Sequence, residues 1–277
     1  MNPLLDKIKE TLLIHRWRTF YKGNKLPEVS LEELGIECQI FSPIVSEEIC
    51  LPPYRGDEKI DDYSVLFSVL NSKKPSVVLE LGTGFGNTVA NICSQLDSRV
   101  FTVNALPDQI SGRVTTYSLT SDEIGSVYKT HGFSQRVTQV YEDTKKMNLK
   151  KIIPEKSIDF AIVDACHDSD YVLNDFQKLM PFMAKGSIVM LHDTHPSMEK
   201  HYIDSYIACM YLRKLGFNIK YIKTSSWAIW FEDTGTVKQN SIKHALSSIT
   251  NSLEKMIFGN SQNDLLRIRR YAKKNIS

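Results

Sequence analysis

Apolar residues recur along this chain in two rhythms, and the change from one to the other marks its organisation. Between residues 1 and 21, Leu5, Ile8, Leu12, Leu13, Trp17 and Phe20 fall at helical spacing. That predicts an amphipathic helix packed on the body of the protein or on a partner subunit. Residues 21–56 show no period and carry prolines at 27, 43, 52 and 53, which reads as a wrapping or lid segment. A helix is expected over 57–71, ended by Lys73, Lys74 and Pro75 because the residue before a proline avoids the helical region.

Beyond Pro75, short apolar runs alternate with amphipathic stretches. Strands are expected at 77–81, 99–103, 137–141, 158–163 and 187–191. Helices are expected at 87–96, from the Thr120/Glu123 capping box to His131, at 169–184 and at 199–215. Alternation of this kind predicts a parallel sheet with crossover helices. Runs at 217–222 and 227–231 then lie about four residues apart, too close for a crossover, so they predict an antiparallel hairpin. Two more helical stretches, 237–258 and 264–274, are expected to serve packing or oligomerisation. The fold class is therefore α/β: a doubly wound, mostly parallel seven-stranded sheet with a C-terminal antiparallel hairpin. The expected units are a helix and wrapping segment over 1–56, a central domain over 57–234 and a helical extension over 235–277.

At 277 residues, 42% hydrophobic and 24% charged, with a net charge of +2, the composition is that of a globular domain with no pull towards a polyanion. A basic run, Arg267, Arg269, Arg270, Lys273 and Lys274, reads as a solvated helix face. The five cysteines are scattered, odd in number and without a C-x-x-C pair, so no disulfide framework or zinc site is predicted and a reducing, cytoplasmic setting is expected. Nothing approaches the ~20 apolar residues of a membrane span.

The richest turn is Glu80-Leu-Gly-Thr-Gly-Phe-Gly86, between an expected strand and helix. Gly82, Gly84 and Gly86 give a sharp turn and close backbone approach to a ligand. Asn87 stands where the dinucleotide fingerprint would place its last glycine, so the spacing is G-x-G-x-G. This pattern resembles motif I of the class I S-adenosylmethionine (SAM) dependent methyltransferases. The resemblance implies Glu80 at the methionine end of the cofactor, and Gly82, Thr83, Gly84, Gly86 and Thr88 along it. Asn104 and Ala105 would lie at the ribose, with an amide where a carboxylate is usual, and Glu142, Asp143 and Thr144 at the adenine. Asp143 and Thr144 serve equally well as a capped turn.

A second constellation joins Asp164 and His167, after the 158–163 strand, to His192 and Asp193, after the 187–191 strand. Parallel strands bring their C-terminal ends to one edge, so these side chains are expected in a common crevice. The run resembles a bacterial branch of class I O-methyltransferases acting on sugars and natural products, over residues 75–195. That resemblance implies a divalent cation, Mg²⁺ or another, on Asp164, His192 and Asp193, with Asp164 also at the cofactor and His167 as base. His195 is a further nitrogen donor. The expected partner is a small molecule bearing a hydroxyl, with no nucleic acid or membrane and with the terminal helices as candidates for homo-oligomer contacts. Two other readings stay open: an NAD-type oxidoreductase, which Asn87 and Asn104 disfavour, and a non-catalytic SAM-fold binding or assembly protein.

Overall fold

The computed structural model describes residues 25–45, 61–110, 118–194 and 203–232. The expected helices at 1–21, 237–258 and 264–274, the C-terminal basic run and His195 lie outside the described residues.

One sheet organises the molecule. Its strands are β1 (Glu28–Val29), β2 (Val77–Leu81), β3 (Arg99–Asn104), β4 (Val137–Tyr141), β5 (Ile158–Val163), β6 (Met183–Leu191), β7 (Lys220–Ile222) and β8 (Ala228–Phe231). They lie in the order β1-β7-β8-β6-β5-β2-β3-β4. β2 to β6 pair in parallel, and β8 runs antiparallel to both β6 and β7. The helices are α1 (Asp62–Lys73), α2 (Asn87–Gln95), α3 (Ser126–Thr130), α4 (Ser169–Leu179) and α5 (Ile203–Lys214).

Side chains alternate between two apolar layers, one on each face of the sheet. Leu79, Leu81, Ala161, Val163, Val189 and Leu191 pack with α4 and α5; Val78, Phe160, Ile162, Ile188 and Met190 pack with α1 and α2. Both faces are thus covered, which is why the central strands read as continuous apolar runs.

Four details depart from the sequence expectation. The sheet has eight strands, because Glu28–Val29 pairs in parallel with Tyr221 and Ile222 at the edge. The 169–184 helix stops at Leu179: Pro181 sits in a 3-10 turn and the next strand starts at Met183. Proline removes the amide that an extended α4 would need. The capping-box contacts do form, with Thr120 N donating to Glu123 Oε2 at 2.8 Å, but they close a turn and the α-helix begins only at Ser126. The hairpin strands are shorter than their apolar runs, since Phe217, Ile219 and Trp227 are buried outside them.

The wrapping segment is tied to the domain by backbone donors meeting helix side chains. Gln39 N donates to Ser68 Oγ at 2.8 Å, Phe41 N to Ser64 Oγ at 3.0 Å, and Ile44 N to Asn91 Oδ1 at 2.9 Å. The ring of Phe41 stacks on Phe67 at 3.8 Å. No helix among the described residues is long and apolar enough to cross a membrane.

Candidate active site

The glycine turn leaves β2 at its C-terminal end and is held from three sides. Gly82 N and Thr83 N donate to Val103 O, and Asp164 N donates to Leu81 O at 2.8 Å, so the turn, β3 and the end of β5 move as one. Gly82 has φ +109°, and a Cβ there would lie 2.1 Å from the carbonyl oxygen of Asp164. Gly84 also takes a positive φ, +53°, yet a Cβ on it would meet nothing within 4 Å. The first glycine is demanded by packing. The second lies open on the face where a ligand can approach.

Beneath the turn runs a directed chain of buried polar groups. Tyr128 OH donates to Gln139 Oε1 at 3.1 Å, and Gln139 Nε2 donates to Thr83 Oγ1 at 2.9 Å. The Thr83 and Thr102 hydroxyls meet at 2.7 Å, and Thr102 Oγ1 donates to Glu80 Oε2 at 2.7 Å. Because Thr102 spends its proton on the carboxylate, Thr83 is the donor to Thr102. Each link polarises the next, a cooperative arrangement that fixes the turn. Burial, with the nearby phenol of Tyr141 and the carboxylate of Glu80, pushes the Tyr128 phenol up to about 12, so it stays a donor.

This chain changes what several expected cofactor residues do in the protein alone. Glu80 is only 2% exposed and faces Thr102. Asn104 reaches back across the turn: its Oδ1 accepts from Gly84 N at 3.1 Å and its Nδ2 donates to Ala105 O at 2.9 Å. Asp143 closes a local turn with Lys145 N at 2.9 Å and accepts from Tyr171 OH at 3.2 Å, the capped-turn role that its sequence allowed. Thr144 is buried beside it, Glu142 continues the ladder to Asn104 O, and Thr88 and Ala105 are half-buried at the rim. Phe85, between the second and third glycines, is 49% exposed.

The second constellation does assemble. His167 Nε2 lies 3.1 Å from Asp164 Oδ1 and 3.3 Å from Asp193 Oδ2. His192 Nδ1 lies 3.0 Å from the same Asp164 Oδ1 and 3.8 Å from Asp193 Oδ1. Asp193 occupies the left-handed region, φ +52°, at the bend that brings its carboxylate back to His167. Burial alone would raise the Asp164 carboxyl, but the two imidazoles outweigh it and hold it below its ordinary value. Burial likewise disfavours a charged His167, and Asp193 with Asp164 outweigh it and raise the ring. His192 is raised well above the usual imidazole value by Asp164, Asp193 and Asp62 against the same penalty.

This donor set does not fit a resident divalent cation as arranged. Asp164 Oδ1 is already shared by two imidazoles, and among the described residues no group of three or more His, Cys, Asp and Glu side chains is placed to hold a metal ion. The residues on which a cation was expected, Asp164, His192 and Asp193, are joined here with His167 in a network of imidazole–carboxylate pairs.

Sequence reasoning missed Asp62, Trp227 and Gln139. Asp62 Oδ2 lies 3.5 Å from His192 Nε2, and the rings of His192 and Trp227 are 4.3 Å apart. Two adjacent acids opening a helix read as capping, and Asp61 does cap α1, accepting from Ser64 N at 2.6 Å. Only the tertiary fold shows that its neighbour serves the site.

Residues 79–194 match the family model described as a methyltransferase domain. No curated protein matches the chain. Among solved structures, a Staphylococcus aureus protein provisionally described as a caffeoyl-CoA O-methyltransferase is 13% identical, over 83% of this chain and 100% of that one, with a TM-score of 0.48. The O-methyltransferase TomG from Streptomyces achromogenes, solved with SAM, is 14% identical over 62% and 78% of the two chains, with a TM-score of 0.43. The Podospora anserina methyltransferase PaMTH1, solved with S-adenosylhomocysteine (SAH), is 14% identical over 61% and 77%, with a TM-score of 0.45. The matched segment spans the glycine turn and the Asp164 to Asp193 constellation. The match is to a methyltransferase domain over residues 79–194, and the sheet that carries it is mostly parallel and closed by an antiparallel strand.

Proposed function

We propose that the protein transfers the methyl group of SAM to a hydroxyl of a small molecule, with His167 as the base. The observation that carries this reading is the placement of His167 between Asp164 and Asp193 at the sheet edge, with Asp164 in backbone contact with the glycine turn. SAM, when bound, supplies a methyl on a sulfonium that an oxygen nucleophile displaces in line. The open face of Gly84 is the cradle for it, and the exposed ring of Phe85 stands beside that face.

The remaining chemistry belongs to the chain. With His167 neutral and its proton on Nδ1, a substrate hydroxyl that takes the place of one carboxylate contact at Nε2 loses its proton to that nitrogen. The resulting imidazolium stands 3.1 and 3.3 Å from two carboxylates, which stabilise it. The oxygen takes the methyl, and the products are the methyl ether, SAH and the proton held on Nε2.

The test is transfer of radiolabelled methyl from SAM to a panel of sugars, phenols and secondary alcohols. His167→Gln is expected to lower kcat by roughly 100-fold, within the usual worth of a general base, while SAM affinity stays within about twofold. Transfer to an amine or a carbon acid alone, or full activity in His167→Gln, contradicts the proposal.

A further inference from the structure

The N-terminus of α1 enters the site from outside the matched methyltransferase segment, and it does so through one residue. Asp62 makes three separate connections. Its Oδ1 accepts from Ser226 N at 2.7 Å, its backbone carbonyl accepts from Trp227 Nε1 at 2.9 Å, and its Oδ2 faces His192 Nε2 at 3.5 Å. It therefore fastens the β7–β8 turn and His192 to the same helix end. His192 is held from three sides: Asp62 at one nitrogen, Asp164 Oδ1 at the other at 3.0 Å, and the ring of Trp227, tilted at 42° to it. Further along the same strand end, Thr194 N donates to Ser226 O at 2.9 Å, so the segment carrying His192 and Asp193 is pinned to that turn as well.

We propose that Asp62 is a positioning residue of the active site, holding His192 by Nε2 so that Nδ1 bears on Asp164. A ring with a carboxylate on each nitrogen satisfies both only when it donates from both, and its orientation is then fixed. Two imidazoles converge on Asp164 Oδ1, so the orientation of His192 sets that of Asp164 and, through it, of His167. His192 in this arrangement is a fixed donor, distinct from the base.

The inference rests on the proposed methyl transfer only for its purpose; the hold on His192 is read directly. The experiment uses the full chain labelled with ¹⁵N and records imidazole ring signals, with His192→Gln to assign them. Wild type is expected to show a slowly exchanging His192 Nε2–H. Asp62→Asn keeps the shape and an acceptor for Ser226 N but removes the charge; its Nε2–H is expected to exchange roughly tenfold faster, with Asp62→Glu recovering most of the protection. Unchanged His192 signals in Asp62→Asn, or equal loss in Asp62→Glu, overturn the proposal. SAM titration of the same samples separates the two claims: if wild type binds no SAM, the methyl-transfer reading fails, while the ring signals still decide what Asp62 does.

Discussion

Replacing Gly82 and Gly84 by alanine, one at a time, separates packing from ligand contact within a single turn. At Gly82 a Cβ would meet Asp164 O at 2.1 Å, Asp164 C at 2.5 Å and Ala165 Cα at 2.8 Å, all backbone atoms that cannot swing aside. The positive φ adds ~1–3 kcal/mol and the overlap another ~1–3 kcal/mol, so Gly82→Ala is expected to cost about 2–6 kcal/mol. At Gly84 the backbone has φ +53° and the Cβ meets no protein atom within 4 Å, leaving only the left-handed penalty of about 1 kcal/mol. Thermal unfolding reads the first difference: at roughly 2–4 °C per kcal/mol, Gly84→Ala loses a few degrees and Gly82→Ala several times more. Calorimetric titration with SAM reads the second. Gly84→Ala is expected to stay folded and bind SAM at least about tenfold more weakly, since a methyl then occupies the cradle. A folded Gly84→Ala with wild-type SAM affinity refutes the assignment of that open face to the cofactor.

Two further outcomes follow from the buried charges. Asp175 is fully buried, its carboxyl pushed up to about 7 mainly by burial, with Thr144, Asn174 and Lys178 opposing and Asp143 adding. The folded chain keeps that proton where the unfolded chain has lost it, so stability falls as pH rises from about 4 to 7; Asp175→Asn is expected to match wild type near pH 4 and exceed it by up to about 4 kcal/mol above pH 7. Unfolding midpoints that differ equally at pH 4.5 and pH 8 would sink that reasoning. Treatment with EDTA followed by gel filtration is expected to leave methyl transfer within about twofold of the untreated enzyme, whereas a loss restored by Mg²⁺ or Mn²⁺ reinstates the cation on Asp164 and Asp193.

How much of this was visible in the chain depends on what each element leans on. β2 and β5 begin and end where their apolar runs do, because strands in the middle of a parallel sheet are buried on both faces and their composition is forced; β4 also keeps the bounds of its run, although it is the half-buried edge strand. β1 was invisible: Glu28–Val29 is two residues long, and its strand character comes from Tyr221 N donating to Pro27 O and Lys223 N donating to Val29 O across the sheet. Asp164, His167, His192 and Asp193 could be grouped from the sequence because the parallel sheet brings the ends of β5 and β6 together. What those groups do with one another could not, since it turns on Asp62 and Trp227, from α1 and the hairpin. Asn104 shows the same limit: its place at the end of β3 is legible, while the hydrogen bond its side-chain oxygen accepts from Gly84 N depends on the exact path of the turn.

The claim on which the rest depends is that the glycine turn receives SAM. Calorimetric titration of the full chain with SAM, SAH and NAD, in the presence of EDTA, tests it most directly. Saturable binding of SAM and SAH at one site, with no heat from NAD, is the expected result. Tight NAD binding with no response to SAM or SAH would contradict it.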